Sequence, residues 1–336
     1  MDRFRIGILG ADSPQGQQLT KLLLNHPIAE LVAVSTTAVN AALTGSPVGS
    51  CCASLHDRCT LSFVSDLQVM TEADVVFNAD LAADSQELAA GCIKNKCVFI
   101  DLGHAFRIAD EEEYRQWFGT GFSYPGLHEA AVYGLPELLR DHMSGKVLVS
   151  VPGGTATAVL LALIPLLREQ LIEPDGITVT VLLPARNGAA GLYASTEAFP
   201  ETPEIEQLLT EAAGRNVRIS VTPCFTGERR GQLVVCTAKA SLSASARTIR
   251  SALNGYYAGE QFVRILPPGT RGASAEAVVG SNLCEISCRF DERTGTVTVC
   301  AALDSLMKGS SGQAVQCMNR ILSMPEEIGV DGLPFN

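Results

Sequence analysis

A short loop near the N-terminus has residue types that suit phosphate binding. The apolar run at residues 5–10 predicts a buried strand, and residues 14–25 predict a helix with leucines at helical spacing. A tight turn from a strand into a helix directs backbone N–H groups and the positive helix end toward one point, which suits a pyrophosphate. The predicted dinucleotide-binding residues of this loop are Gly10, Ala11, Ser13, Pro14, Gln15 and Gly16.

The loop glycines leave a second interpretation open. Ser13 is a favourable N-cap and Pro14 suits the first helical position, but both are typical of any helix start. The glycines do not follow the G-x-G-x-x-G spacing of dinucleotide-binding loops. Taken alone, the loop is therefore equally compatible with a structural strand-to-helix turn.

The end of the second predicted strand, residues 31–34, bears on the choice of cofactor. Ser35 and Thr36 follow it, where an NAD-specific site usually offers an acidic residue to the ribose. These hydroxyls favour NADP. No lysine or arginine lies between Lys21 and Arg58 to neutralise a 2′-phosphate, so NAD stays open as an alternative.

These elements must be positioned by a larger fold. The chain of 336 residues exceeds one core of ordinary size, which favours two domains. Up to Pro152, short apolar runs alternate with helical patterns, which predicts an α/β fold with a Rossmann-type doubly wound parallel sheet. Beyond it, a long helical pattern at 155–170 precedes apolar strands with polar turns, which predicts an α+β domain.

Composition restricts the classes of partner. The net charge of −11 disfavours nucleic acids and anionic membranes, and no apolar stretch reaches the length of a membrane span. We therefore expect a cytoplasmic protein. The eleven cysteines lack CxxC spacing and are expected to be free and mostly buried. A zinc site at Cys51, Cys52, His56 and Cys59 is a weak alternative, and no metal is predicted.

Four segments match one protein family in residue types and in order. They are residues 101–107, 133–138, 202–207 and 307–316. In these segments the chain resembles the N-acetyl-γ-glutamyl-phosphate reductases, and the matches extend along nearly the whole sequence. The resemblance implies a semialdehyde dehydrogenase fold. Residues 1–152 plus 308–336 would bind NADP, and residues 153–307 would form the catalytic and dimerisation domain of a homo-oligomer, a dimer or tetramer.

The resemblance also implies a chemistry for which this chain lacks residues. In the reductases a cysteine thiolate attacks the acyl phosphate, NADPH reduces the thioester, and a histidine handles the proton. Here Gly154 stands at the cysteine position, and residues 199–201 replace the family's His-Arg-His. Glycine offers nothing to acylate, and Thr155 is a far weaker nucleophile. Residues 186–191 resemble a glycine-containing loop of the family, with several of its residues replaced.

Several other residues carry two interpretations each. Arg107 aligns with an arginine that holds the substrate's phosphate in related semialdehyde dehydrogenases, and a structural ion pair is the alternative. Ser305, Lys308 and Gly309 resemble cofactor-binding residues of the family near the last helix. For Lys308 the alternative is a solvated lysine near a helix N-terminus.

Other thiols and histidines of the chain are candidates to replace the missing groups. Cys224 is the candidate substitute nucleophile, with a packing role as the alternative, and Cys284 is expected in the core. His104 and His128 are expected to be surface or loop histidines rather than general bases.

Two functions follow from these residues. The first is a reductase-like protein of arginine biosynthesis, an NADP-dependent oxidoreductase by family, whose thioester catalysis is impaired or lost. The second is a noncatalytic paralogue that binds a dinucleotide and acts through assembly with an active subunit.

Overall fold

The protein divides into two compact units. The structure, a computed structural model, describes residues 3–184, 193–228 and 230–334. The first unit extends to Pro152 and includes Ser310–Asp331, and the second comprises Gly153–Gly309 with the segment from Gly332 onward. Lys308 and Gly309, which the sequence assigned to the first domain, lie in the second unit because they pack there, Gly309 on Leu303 and Lys308 beside the ring of Phe262.

The first unit contains a seven-stranded parallel sheet. Its strands are β1 Phe4–Leu9, β2 Ala29–Ser35, β3 Phe63–Val64, β4 Val75–Asn78, β5 Val98–Asp101, β6 Val132–Tyr133 and β7 Leu148–Ser150. The order β3-β2-β1-β4-β5-β7-β6 makes β1 and β4 neighbours at which the direction of winding reverses. Ligands of doubly wound sheets bind at such a switch point, beyond the carboxyl ends of the strands. The predicted Rossmann-type fold is confirmed.

Helices cover the strands of this sheet, so that Phe77 and Phe99 on neighbouring strands are fully buried. Ser13, Asp84 and Asp110 cap three of these helices by accepting N–H groups of the first turn. The helices are α1 Pro14–Leu24, α2 Asp66–Glu72, α3 Ser85–Lys94, α4 Glu111–Phe118, α5 Pro125–Ala130 and α6 Pro136–Leu139.

The second unit combines three helices with a mixed sheet, as the sequence predicted. The helices are α7 Gly154–Arg168, α8 Thr202–Ala213 and α9 Ala246–Tyr256. The strands are β8 Ile177–Leu183, β9 Tyr193–Ala194, β10 Ile219–Phe225, β11 Gln232–Lys239, β12 Val263–Ile265, β13 Cys284–Asp291 and β14 Thr296–Leu303. Their order is β12-β13-β14-β11-β8-β10-β9, with parallel pairs at β8–β10 and β12–β13.

Helix α7 is the centre of the second unit. Every residue from Thr155 to Leu167 is buried, and the helix packs on β11 and β14 and against α8 and α9. A helix that is apolar on all sides is stable only inside a protein. Along β11 the buried positions alternate with half-buried ones, so Val234 and Cys236 face inward while Leu233 and Val235 lie on the outer face.

The last helix, α10 Gly312–Ile321, returns to the first unit after a π-helical turn at Met307–Ser311. It packs against α1 and α6. His26 ties it to the start of β2: Nδ1 accepts the N–H of Ala29 at 3.1 Å, and Nε2 lies 3.1 Å from Oδ1 of Asn319. Because Nδ1 accepts, Nε2 carries the proton and donates it to Asn319.

The longer elements lie within about two residues of their predicted bounds, as periodicity arguments allow. All eleven cysteines are free thiols. Within residues 3–184, 193–228 and 230–334, no cluster of three His, Cys, Asp or Glu side chains has the arrangement of a metal site. In the same ranges no helix combines the length and apolar character needed to cross a bilayer.

The buried imidazole of His26 predicts an acid-sensitive first unit. Burial lowers its pKa below the ordinary 6.5, although the bond to Asn319 opposes that shift. The unfolded chain therefore binds a proton at higher pH than the folded protein, and stability is lost as pH falls below about 6.5. Urea unfolding between pH 7.5 and pH 5 tests this. A His26→Phe variant should be less stable at pH 7.5 by about 1–3 kcal/mol, since the N–H groups of Ile28 and Ala29 lose their acceptor. Its stability should also decline less as the pH falls. The exposed His142 gives the control, His142→Gln. An equal decline in His26→Phe and the wild type would contradict this account.

Candidate functional site

The glycine loop after β1 is packed so closely that two positions accept only glycine. Gly10 has φ of +74°, and a Cβ there would lie 2.6 Å from the backbone nitrogen of Asp80. A Cβ at Gly16 would lie 2.2 Å from the carbonyl oxygen of Gly10. Loop and helix therefore meet without side chains between them, which brings the amino end of α1 to the end of β1.

Ser13 holds this loop as an N-cap and as a tether. Its Oγ accepts the N–H of Gly16 at 3.0 Å and donates to the carbonyl oxygen of Ala79 at 2.9 Å. The sequence assigned the Gly16 N–H to an anion, whereas in the structure the cap occupies it. Pro14 is exposed and Gln15 half-buried, and the carbonyl oxygen of Gln15 accepts the Ser311 hydroxyl at 2.9 Å.

The end of β2 differs from its predicted arrangement. Ser35 and Thr36 are buried, and the Ser35 carbonyl oxygen accepts the N–H of Ala11 at 2.8 Å. The Ser35 hydroxyl is buried without a hydrogen-bond partner among the described residues, and Thr36 is 8% exposed. The next two residues, Thr37 and Ala38, carry the exposed turn at this strand end.

In the second unit, two carboxylates occupy the amino end of α7. The N-cap is Gly153, which has no side chain to accept a hydrogen bond. Instead Glu201 Oε2 accepts the N–H of Ala156 at 2.8 Å, and Glu204 Oε1 accepts the N–H of Gly153 at 3.1 Å. A Cβ on Gly153 would lie 2.1 Å from Glu201 Oε2, so the glycine makes room for this carboxylate.

A carboxamide fills the space beside Gly154. A Cβ there would lie 2.9 Å from Gln232 Oε1 and 3.1 Å from its Nε2. Gln232 is 4% exposed and lies on the inward face of β11, where the other positions are apolar. Its Nε2 and the hydroxyl of Thr155 are both buried without a hydrogen-bond partner among the described residues. The Gln232 carboxamide therefore occupies the space that a side chain at position 154 would fill.

The turn before α10 is organised by Asp304. This fully buried carboxylate accepts the N–H of Leu306 at 2.8 Å and of Gly280 at 2.6 Å, and it pairs with Arg230 at 2.7 Å. A Cβ on Gly309 would lie 3.3 Å from the Cα of Gly154, so the turn packs directly on the start of α7. Ser305 is half-buried beside this carboxylate.

Lys308 is fully buried in the same turn, with Nζ 5.7 Å from the centre of the Phe262 ring. The prediction of a solvated lysine is wrong, because the π-helical turn directs the side chain into the second unit. A lysine is rarely buried without a specific role in binding or structure. The family-like interpretation of Lys308 is thereby favoured over the solvated one.

Comparison with known proteins decides the family. The N-acetyl-γ-glutamyl-phosphate reductase of Clostridium botulinum (strain Eklund 17B / Type B) is 34% identical, covering 97% of this chain and 98% of its own. That of Pelotomaculum thermopropionicum is also 34% identical, with 98% of both chains covered. The chain belongs to the N-acetyl-γ-glutamyl-phosphate reductase family. Residues 5–146 match the semialdehyde dehydrogenase NAD binding domain, and residues 177–305 match its dimerisation domain.

Solved structures of semialdehyde dehydrogenases have the same fold as this family member. Aspartate semialdehyde dehydrogenase II from Vibrio cholerae superimposes with a TM-score of 0.71 at 12% identity, covering 96% of this chain and 99% of its own. The Candida albicans enzyme, solved with NADP, also has a TM-score of 0.71, at 14% identity, with 97% and 100% covered. At these identities the likeness concerns the fold alone.

Cys224 lies on the other face of the sheet from the α7 start. It pairs with Leu182, which pairs in turn with Leu233, so these three side chains share the outer face. Gln232, the neighbour of Gly154, faces inward. The geometry therefore gives Cys224 no access to the start of α7, and a packing role remains. Cys284 is fully buried, as expected of a core residue.

The remaining candidates lie in the first unit or outside the described residues. Arg107 is half-buried and donates from Nη2 to the carbonyl oxygen of Leu102 at 2.8 Å. His104 stacks on Phe118. His128 stacks on Phe122, and burial lowers its pKa to about 4, so it is neutral at pH 7. The family-like loop at 186–191 lies outside the described residues.

Sequence reasoning missed the polar residues that now surround the start of α7. Gln232 carried one signal, a polar residue opening an apolar alternating strand. In the sequence, Glu201 stands out only as part of the segment that replaces the family's His-Arg-His, and spacing gives no signal for Asp304. Their roles depend on contacts between residues far apart in the chain, which spacing does not reveal.

The two glycines at the start of α7 should respond differently to alanine. Gly153→Ala should lower the free energy of unfolding by about 1–2 kcal/mol, because Glu201 must leave the N–H of Ala156. Gly154→Ala should be nearly neutral, because the Gln232 carboxamide can rotate and alanine favours helix by up to about 1 kcal/mol. Urea unfolding measures both. In Gly153→Ala combined with Glu201→Ala the two losses should not add, and full additivity would contradict the contact.

Proposed function

We propose that this member of the N-acetyl-γ-glutamyl-phosphate reductase family binds a nicotinamide dinucleotide and has lost the family's thioester catalysis. The observation that carries the proposal is Gly154 at the first position of α7, where the resemblance places the catalytic cysteine. Without a thiol, no acyl-enzyme bond forms at this residue. The NADPH-dependent reduction of N-acetylglutamyl phosphate in arginine biosynthesis is then the ancestral reaction.

The carboxylates at the amino end of α7 support the loss of function. A helix N-terminus is positive, and it stabilises a thiolate or binds a phosphate when its N–H groups are free. Here Glu201 and Glu204 accept N–H groups of Ala156 and Gly153. An acyl phosphate approaching this end would face two carboxylates in place of free N–H donors, which disfavours an anionic substrate.

The glycine loop of the first unit supports retention of the dinucleotide. Gly10 and Gly16 leave no room for a side chain, and the loop lies at the end of β1, next to the switch point with β4. Backbone groups of residues 10–16 would hold the pyrophosphate, and the bound cofactor would supply a hydride. The resemblance implies NADP, with NAD as the alternative.

The outer face of the second sheet supports self-association. Thr180, Val235 and Cys300 lie side by side on the three central strands of this face. Their neighbours along β8, β11 and β14 include Thr178, Leu233 and Thr298, so the centre of this face has no charged side chain. The centres of protein interfaces are likewise depleted of charged residues. The match to a dimerisation domain favours a homo-oligomer. A mixed oligomer with an active family member is the alternative assembly.

The proposed function also includes a cellular compartment. Eleven free thiols and no disulfide among the described residues suit a reducing compartment, and we propose the cytoplasm. The acidic net charge of −11 gives no reason to add a nucleic acid or an anionic membrane as partner.

The purified protein should not catalyse the family reaction. With N-acetylglutamyl phosphate and NADPH or NADH, we expect turnover at least about 10⁴-fold below that of a reductase relative assayed in parallel, because nucleophile and base are both replaced. The turnover of the reverse reaction, with the semialdehyde, phosphate and NADP⁺, should be reduced to the same extent. Consumption of NADPH at a rate within tenfold of the relative's would refute the proposal.

Restoring the thiol alone should not restore activity. In Gly154→Cys the sulfur would enter a space beside the Gln232 carboxamide and near the Glu201 carboxylate, where a thiolate is disfavoured. We expect the variant to fold, to remain inactive, and to react with iodoacetamide more slowly than free cysteine at the same pH. Reductase-level activity in Gly154→Cys would show that the remaining site is intact.

The assembly can be tested by light scattering after gel filtration. A Val235→Glu substitution places a charge on the outer face, and we expect it to shift the protein toward the monomer. The control is Asn254→Glu on the exposed side of α9, which should leave the mass unchanged. A monomeric wild type, or an oligomer untouched by Val235→Glu, would contradict the proposed surface.

A further inference from the structure

Two carboxylates flank the turn that follows β2, the place where a doubly wound fold receives the adenosine ribose of a dinucleotide. Asp12 belongs to the glycine loop itself, between Gly10 and Gly16. Asp80 follows β4 and is buried, and its backbone nitrogen lies 2.6 Å from the position of a Cβ on Gly10. The acidic group that is absent from the end of β2 in the sequence is thus supplied by neighbouring segments.

These carboxylates occupy the hydrogen-bond donors of the turn. Asp12 Oδ1 accepts the N–H of Thr37 at 2.5 Å, and Oδ2 accepts the Thr37 hydroxyl at 2.8 Å and the Asn40 amide at 2.6 Å. Asp80 Oδ2 accepts the N–H of Ala38 at 2.7 Å. A 2′-phosphate needs such donors, and here four of them already point at carboxylate oxygens.

No positive charge offsets the two acids. The segment between Lys21 and Arg58 contains no lysine or arginine. Within the part of the chain that the structure describes, no basic side chain makes an ion pair or hydrogen bond with Asp12 or Asp80. Burial raises the pKa of Asp12, but the bonds from Asn40 and Thr37 outweigh it and hold that pKa below its usual value. Asp12 is therefore ionised at neutral pH.

We propose that Asp12, supported by Asp80, makes this protein selective for a dinucleotide with a free 2′-hydroxyl, NAD(H), over the 2′-phosphorylated NADP(H). The inference rests on the proposed function, since it concerns the same dinucleotide site. With three hydrogen bonds accepted, the Asp12 carboxylate keeps one acceptor site, on Oδ1, for a ribose hydroxyl, and its charge repels a phosphate dianion. This selectivity departs from the expectation of NADP, which the resemblance implies and which Ser35 and Thr36 favoured.

The test is equilibrium binding of NADH and NADPH to the full-length protein, followed by nicotinamide fluorescence and repeated by calorimetry. We expect the wild type to bind NADH at least about tenfold more tightly, which is a difference of about 1.4 kcal/mol. Asp12→Asn removes the charge at constant shape, so NADPH binding should tighten at least fivefold while NADH binding stays the same or weakens. Asp12→Ser, a smaller residue, should shift the ratio in the same direction.

The control is Glu30→Gln, which makes the same change of charge at the exposed opposite end of β2 and should leave both dissociation constants unaltered. A merely structural role of Asp12 would weaken both cofactors equally, and thermal melts with residual NADH binding report whether each variant is folded. Wild-type binding of NADPH as tight as that of NADH overturns the selectivity and leaves the proposed function standing. Binding of neither cofactor overturns the proposed dinucleotide site, and the selectivity with it.

Discussion

Helix α7 needs acceptors at its amino end, because it begins at two glycines and runs through the interior of the second unit. Buried N–H groups without partners cost about 1–3 kcal/mol each. Glu201 and Glu204 provide the acceptors from the start of α8, and this contact joins two of the helices that cover the sheet. The glycine at 153 is a condition of that contact, since a side chain would occupy the place of the carboxylate. These hydrogen bonds stabilise the start of α7, and the proposed loss of thioester catalysis is consistent with them.

The proposed function implies that the two sites have changed to different degrees. At the glycine loop, Gly10 and Gly16 leave no room for a side chain, and the proposed change concerns the residues that select the cofactor. At the start of α7, Gly154 stands where the resemblance places the nucleophile, and neutral and acidic side chains lie beside it. Asp304 and Arg230 keep the adjoining turn in place through an ion pair in which the carboxylate is fully buried.

The sequence predicts much of the fold and part of the candidate site. The remaining features could not be predicted, for physical reasons that particular residues illustrate. The doubly wound sheet follows from apolar runs and helical spacing, and Gly154 is identified by the family resemblance. Short strands such as β3 and β6, of two residues each, carry no periodicity that predicts them. For Lys308 the sequence left a solvated side chain open as the alternative, because charge alone suggests solvent, whereas the π-helical turn buries it. Asp12 and Thr37 meet across 25 positions of chain, and no local pattern records that contact.

The composition of the first unit from both ends of the chain has a consequence for biogenesis. Nine of the ten residues of α10 are buried, among them Asn319, to which His26 donates. A ribosome therefore releases α1 and β5 long before the helix that packs against them exists. During that interval the nascent N-terminal half exposes apolar surface, and the intervening second unit can fold first. Such a long-range closure slows folding and makes early segments dependent on chaperones. A frameshift at the start of α10 would therefore remove the helix that packs on α1, although 296 positions separate Ser311, just before that helix, from Gln15 of the glycine loop.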